Sequence, residues 1–140
     1  MSLGNFNTWE SYQFGLLPLV IYREARGQPD DAMAAVGWVV KNRVAHPKWW
    51  GTDIPSVVLA HYQFSSFNAN DPNSRAFMAK GLEADHIMQI AFNVYWSLTS
   101  DPTGGATYYF DKSLDSNPPN WSKTMIHTVD IGAFHFYKET

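Results

Sequence analysis

Apolar residues recur at three- and four-residue spacing in three segments of the sequence, and this period favours a fold built from packed helices. The first segment starts near Tyr12 and ends at Gly27, which breaks the period. The second segment starts with Asp30 or Asp31 as the expected helix cap and stops at Pro47. Each segment is long enough to bury one helical face, so the body of the protein is predicted to be helical.

The rest of the sequence adds shorter elements. Residues 74–98 form the third helical segment, with Gly81 as a candidate break, and 55–61 are predicted as a short helix. Residues 106–110 and 134–137 are rich in aromatic side chains and predict either two short strands that pair or extended loop. We therefore predict a mainly α (α+β) fold, a compact helical domain with a small extended or β appendage near residues 106–137.

The length of 140 residues predicts one domain. Residues 1–11 are polar and are expected to be a flexible N-terminal segment, whose first four residues resemble those that an expression vector leaves behind. Residues 12–140 would then form the single domain. The longest apolar stretch, 14–22, is interrupted by a glycine and a proline and is too short to span a membrane. No basic segment precedes it, so it is not interpreted as an export signal.

Composition excludes several kinds of chemistry. The chain has no cysteine, which rules out disulfides, cysteine metal sites and a thiol nucleophile. Its ten basic residues form no run and the net charge is −3, so no nucleic-acid partner is expected. The five histidines show no metal-binding spacing. We expect no metal, no cofactor and a monomer.

Glu24 is the candidate catalytic residue. It follows Val20 by four residues and Ile21 by three, so it lies on the helix face that turns inward. Partial burial raises the pKa of a carboxyl group, which would let Glu24 keep a proton near neutral pH and donate it to a leaving oxygen. The alternative is a structural glutamate paired with an arginine near the helix end.

The many aromatic residues (16% of the chain) fit either a core or a groove that stacks on sugar rings. Gln63, Ser65 and Ser66 lie in a predicted loop and can bond to sugar hydroxyl or acetamide groups. Their alternative role is to cap the loop. Tyr108 and Tyr109 combine a flat ring with a hydroxyl in the same way.

Five blocks of the sequence, in this order, resemble the SleB/CwlJ-type, spore-cortex-lytic family of cell wall hydrolases. The blocks are Glu24-Ala-Arg-Gly-Gln28, the helix from Ala35-Val36 to Asn42-Arg43-Val44, Gln63-Phe64-Ser65, the segment from Asp101 to Tyr109, and a closing pair formed by Trp121-Ser122 and 131–137. The resemblance covers 12–138, nearly the whole chain.

The resemblance implies a lysozyme-like, mostly helical domain that degrades peptidoglycan, with Glu24 as the catalytic residue. It implies that the Gln63 loop and the tyrosine segment line the glycan groove. The candidate substrate-binding residues are Gln63, Ser65, Ser66, Tyr108, Tyr109, Trp121 and His135.

His135 departs from the family pattern, which reads I-G-x-H-x-F-Y. Here the segment reads Ile131-Gly-Ala-Phe-His-Phe-Tyr137, so the histidine comes one residue later. Neighbouring residues of a strand point to opposite faces. His135 is therefore predicted to face away from the position that the family pattern gives its histidine.

The sequence shows no second carboxylate near Glu24, because Asp30 and Asp31 are expected to cap a helix and Asp71 and Asp101 precede prolines. A single acid favours a lytic transglycosylase that cleaves peptidoglycan glycan strands between N-acetylmuramic acid and N-acetylglucosamine. The alternatives are a hydrolytic muramidase, an N-acetylmuramoyl-L-alanine amidase and a non-catalytic glycan-binding module. The expected site of action is the cell wall, reached from outside the cytoplasm or by phage delivery.

Overall fold

The computed structural model describes residues 8–60 and 81–140. Four helices lie within these ranges. They are α1 (Thr8–Ala25), α2 (Asp30–Ala45), α3 (Ile54–Leu59) and α4 (Leu82–Tyr95). None of these helices is long and apolar enough to cross a membrane.

The helices pack through the apolar faces that the sequence period predicts. Leu17, Val20 and Ile21 of α1 are fully buried against α2 and α4. Gly37 sits where α2 crosses these two helices, since a Cβ atom there would lie 3.1 Å from Ile21 Cδ1 and 3.3 Å from Val94 Cγ1. The absence of a side chain at this position therefore allows α2 to lie between α1 and α4.

Three strands form an antiparallel sheet. They are β1 (Tyr108–Asp111), β2 (Ile126–Ile131) and β3 (Phe134–Lys138), in the order β1-β3-β2. Phe134 and Phe136 are buried and belong to the same apolar cluster as the helices. One face of the sheet therefore closes the core, and the intervening residues of β3 lie on the other face.

The two opposite faces of the sheet are set by the register of β1 against β3. Tyr109 lies opposite Phe136, on the face that meets the core. Phe110 lies opposite His135, on the other face. Because the two faces alternate, Tyr108 shares its face with Phe110 and His135.

The prediction of a mainly α domain with a small β appendage is confirmed, with differences at the element ends. Helix α1 begins at Thr8, so residues 8–11 are helical. The expected cap of α2 was wrong, because Pro29 is the N-cap and makes no side-chain cap bond. Asp30 and Asp31 instead lie in the first turn of α2, where the helix dipole stabilises their negative charge.

The remaining elements follow the predictions only in part. The third helix is described as Leu82–Tyr95, and residues 74–80 lie outside the described residues. The two predicted strands pair with each other, but β2, which completes the sheet, was missed. Strand β2 contains a β-bulge between His127 and Val129, so the polar and apolar residues of its sequence, IHTVDI, do not alternate regularly. A search for regular alternation therefore does not find it.

Candidate active site

Glu24 lies in the last turn of α1 and is half-buried. The residues that precede it on the same helix face, Val20 and Ile21, are fully buried. The inward orientation that the spacing predicts is therefore present. The carboxyl group lies at the edge of the core, between apolar packing on one side and partial access to solvent on the other.

Tyr109 of β1 connects the sheet to this carboxyl group through a hydrogen bond. Its hydroxyl group donates a hydrogen bond to Glu24 Oε1 over 2.7 Å, joining residues 85 positions apart. The Tyr109 ring packs against Phe134 and Phe136, with ring centroids 5.2 and 5.7 Å away. The hydroxyl group is thus held in place by a strand and two buried rings, and it fixes one oxygen of Glu24.

The electrostatic environment keeps Tyr109 in its donor form. Burial raises its pKa well above the usual value for tyrosine, and the nearby charge of Glu24 and the hydrogen bond to it raise it further. The phenol therefore stays protonated throughout the neutral pH range. Tyr109 is the donor and Glu24 is the acceptor of the bond.

Two polar residues near the end of α2 position β1. Arg43 Nε donates to the carbonyl oxygen of Thr107 over 2.7 Å, and Asn42 Nδ2 donates to that of Ala106 over 3.0 Å. Both carbonyls directly precede β1. Asn42 and Arg43 belong to one of the blocks that resemble the family, but the resemblance implies no role for them. Their polarity at the end of an apolar helix was the available signal.

Arg43 is buried and packs between aromatic rings. Its guanidinium carbon lies 4.8 Å from the Trp50 ring centroid and 4.9 Å from that of Tyr108. Burial lowers the pKa of Arg43 to about 10, against the opposing effect of Tyr108 and other neighbouring groups. The group still carries its charge at neutral pH, so its bond to Thr107 is charge-assisted.

The turn before β1 is organised by Asp101. Its Oδ1 accepts hydrogen bonds from the amide and hydroxyl groups of Thr103, and its Oδ2 accepts from the Gly105 amide and from Asn42 Nδ2. Gly105 has a φ of +85°, which favours glycine at this position. The Asp101–Tyr109 block therefore forms a turn that places Tyr109 next to Glu24. Both oxygens of the Asp101 carboxylate accept hydrogen bonds that hold this turn.

Gln28 connects the other end of the Glu24 block to the sheet. Its Oε1 accepts a hydrogen bond over 3.0 Å from the Ala133 amide in the turn between β2 and β3. The turn approaches so closely that a Cβ atom on Gly132 would lie 2.9 Å from this oxygen. The block that carries Glu24 thus also fixes the hairpin whose phenylalanines hold Tyr109.

The other predicted substrate-binding residues do not gather around Glu24 in the same way. Tyr108 and Trp121 contact each other, with ring centroids 5.1 Å apart, on the face of the sheet opposite to Tyr109. His135 also lies on that face, as the one-residue shift predicts, 4.9 Å from the Phe110 ring. Gln63, Ser65 and Ser66 lie outside the described residues. The roles of all these residues in substrate binding stay predictions.

His135 belongs to a chain of hydrogen bonds on this second face. Its pKa is raised chiefly by the hydrogen bond to Asp130, against the lowering effect of burial, with a further contribution from Asp115. Burial alone would raise the pKa of Asp130, but the bonds from His135 and His127 outweigh it and lower the pKa. His127, Asp130, His135 and Asp115 form a polar cluster on the face of the sheet opposite to Tyr109.

Comparison with known proteins gives the family. Residues 27–137 match the cell wall hydrolase family, a range that begins after Glu24 and covers most of the chain. The chain belongs to this family, which confirms the resemblance drawn from the sequence blocks.

A curated relative agrees with this assignment. A spore cortex-lytic enzyme from Halalkalibacterium halodurans is 27% identical over 114 residues, which cover 81% of this chain and 32% of the relative. This chain therefore spans about a third of the length of that curated relative.

Two solved structures share the fold. The catalytic domain of the Bacillus cereus SleB protein has a TM-score of 0.69 at 24% identity, covering 99% of this chain and 98% of that one. The catalytic domain of the germination-specific lytic transglycosylase SleB from Bacillus anthracis has a TM-score of 0.70 at 23% identity, covering 98% and 100%. The likeness confirms the expected fold.

The contact of Arg43 with Thr107 gives a prediction for stability. Arg43→Met keeps the length of the side chain between the rings but removes the donor, leaving a buried carbonyl without that bond. We expect the free energy of unfolding to fall by about 1–3 kcal/mol, measured by denaturant titration. Arg26→Met, at an exposed position on α1's C-terminal side, is the control and should change it by less than about 0.5 kcal/mol. Equal effects of the two substitutions would contradict the positioning role of Arg43.

Proposed function

We propose that this chain is a peptidoglycan-cleaving enzyme of the SleB type, and that it acts as a lytic transglycosylase on the bond between N-acetylmuramic acid and N-acetylglucosamine. Membership of the cell wall hydrolase family supports the substrate class. The hydrogen bond between Tyr109 and Glu24 is the observation that carries the catalytic assignment. This substrate lies outside the cytoplasm, so the proposed site of action is the cell wall.

The first proposed step is acid catalysis. Glu24 transfers its proton to the oxygen that bridges muramic acid C1 and the glucosamine ring, and the C1–O bond breaks. Because Tyr109 donates to Oε1, the proton of the neutral acid is carried by the other carboxyl oxygen, Oε2. The positive charge that develops at C1 is stabilised by the acetamide group of the same sugar.

The second proposed step is base catalysis by the same carboxylate. The ionised Glu24 takes the proton of the muramic acid C6 hydroxyl group while O6 bonds to C1. An internal 1,6-anhydro ring forms, no water is consumed, and Glu24 recovers its proton for the next cycle. Tyr109 contributes by keeping the carboxylate oriented through both proton transfers.

Three of the described carboxylates are engaged in hydrogen bonds with other parts of the structure. Asp101 accepts four hydrogen bonds within its own turn and from Asn42. Asp30 is bonded to His86, with Oδ1 and Nε2 2.7 Å apart. Asp111 accepts from the amide of Ser113. The engagement of these groups supports a mechanism that uses one carboxyl group in two roles.

Removal of the Glu24 acid should abolish catalysis. Glu24→Gln keeps the shape of the side chain but cannot donate or take the proton, so turnover on purified peptidoglycan should fall by about 10²–10⁴-fold. Glu83→Gln, at an exposed position in the first turn of α4, is the matched control and should retain activity. A Glu24→Gln protein that binds and cleaves glycan as well as the parent would refute the assignment. Glycan binding without turnover in both proteins would support the non-catalytic module instead.

The reaction products distinguish transglycosylation from hydrolysis. We expect mass spectrometry of a peptidoglycan digest to show 1,6-anhydro-muramyl ends, which are lighter than hydrated reducing ends by one water. Hydrated muramyl ends alone would identify a hydrolytic muramidase. Release of intact stem peptides from uncut glycan strands would identify an amidase.

Loss of the Tyr109 hydroxyl group should reduce the rate more than the binding. Tyr109→Phe removes the bond to Oε1 but keeps the ring between Phe134 and Phe136. A hydrogen bond to a charged group is worth about 1.5–3 kcal/mol, so kcat should fall roughly tenfold to a hundredfold with KM little changed. Tyr137→Phe, on the opposite face of the sheet, is the control. An unchanged kcat in Tyr109→Phe would remove Tyr109 from the proposed mechanism.

A further inference from the structure

Two histidines and an aspartate converge on the face of the sheet that points away from Tyr109. His127 and Asp130 are in β2, and His135 is in the neighbouring strand β3. One side-chain ligand atom from each of the three residues lies within 4.8 Å of the other two. We propose that His127, Asp130 and His135 bind a single Zn²⁺ ion, with Asp115 orienting His135.

The β-bulge in β2 creates this cluster. In a regular strand, two residues three positions apart point to opposite faces. The register of β2 shifts between His127 and Val129, and Thr128 is the extra residue. His127 consequently lies opposite Tyr137 and Asp130 lies opposite His135, so both side chains share one face.

The contacts among the three side chains bring their donor atoms to one point. Asp130 Oδ1 lies 2.6 Å from His127 Nε2 and 2.6 Å from His135 Nδ1. Bonds of about 2.0–2.1 Å from zinc to nitrogen and oxygen would hold these atoms roughly 3.3 Å apart in a tetrahedral site. His127 and Asp130 are each nearly half exposed, so their side chains have room for this adjustment.

The chemistry of the three groups suits zinc. Two imidazoles and a carboxylate form a donor set typical of Zn²⁺ sites with three protein ligands and one open position. The exposure of His127 and Asp130 leaves that fourth position accessible to water. Calcium and magnesium prefer sites made of oxygen ligands, which this cluster does not offer.

Asp115 supplies the partner that histidine ligands usually have. Its Oδ1 lies 2.7 Å from His135 Nε2, on the far side of the ring from Asp130. A carboxylate that accepts the Nε2 proton fixes the ring so that Nδ1 presents its lone pair to a metal. The ring is also held from the side by Phe110, with centroids 4.9 Å apart. His135 is thus oriented before any ion binds.

The position of the site separates it from the proposed catalytic residues. His135 projects from the face of β3 opposite to Phe134 and Phe136, which contact Tyr109. The zinc ion would not contact Glu24, and it would act by cross-linking β2 and β3. Zinc binding can therefore be tested by its effect on the protein itself, whether or not the glycan chemistry is as proposed.

The test is a titration of the untagged, chelator-treated chain with Zn²⁺, followed by calorimetry at about pH 7.5, where imidazoles are available as ligands. We expect one ion per chain and a rise in the thermal unfolding midpoint at saturating zinc. Titration with Co²⁺ should give the visible absorption of a four-coordinate ion. Absence of saturable binding by the parent chain would overturn the proposal.

Variants assign the ligands. His127→Ala and Asp130→Asn replace exposed groups and should weaken zinc binding at least tenfold without unfolding the chain. His86→Ala removes a histidine that is also paired with an aspartate, Asp30, but lies on α4, and it should bind zinc like the parent.

Asp115→Asn should weaken binding about 10–100-fold with one ion still bound. Affinity unchanged in both His127→Ala and Asp130→Asn would overturn the site, and unchanged affinity in Asp115→Asn would overturn the role of that carboxylate.

Discussion

The position of β1 relative to the helices depends on the pair of hydrogen bonds that α2 donates to it. Asn42 and Arg43 bond to two consecutive backbone carbonyls, those of Ala106 and Thr107, immediately before the strand starts. Because both acceptors belong to the backbone, the bonds fix the rotation of the chain as well as its distance from α2. Once that rotation is set, the alternation of a strand decides that Tyr109 faces Glu24 and that Tyr108 faces away.

The buried arginine is costly to hold unless its charge is compensated. The compensation includes a carbonyl bond and two rings, those of Trp50 and Tyr108, which lie against the guanidinium group. Trp50 Nε1 in turn donates to the carbonyl oxygen of Arg43 over 2.9 Å. Tyr108 therefore has a structural role beside Arg43, whereas the adjacent Tyr109 bonds to Glu24.

The sequence predicted the helical body and the inward position of Glu24, because both depend on local periodicity. It could not predict the partner of Glu24, since the bond to Tyr109 joins residues far apart in the chain and depends on the rotation of β1. It also missed β2 and the His127–Asp130–His135 cluster. A search for metal spacing assumes regular helices or strands, whereas a bulge at Thr128 brings His127 and Asp130 to one face.

Strand β3 links the two proposed sites. Its alternate residues contact Tyr109 through Phe134 and Phe136 on one face and form the histidine cluster through His135 on the other. The hairpin is attached to the helices by Gln28, which lies four residues after Glu24. An ion that cross-links β2 and β3 would reduce the freedom of the two rings behind Tyr109. The contacts of Phe134 and Phe136 with Tyr109, and of Tyr109 with Glu24, therefore connect β3 to the catalytic carboxyl group, although the two proposed sites lie on opposite faces of the sheet.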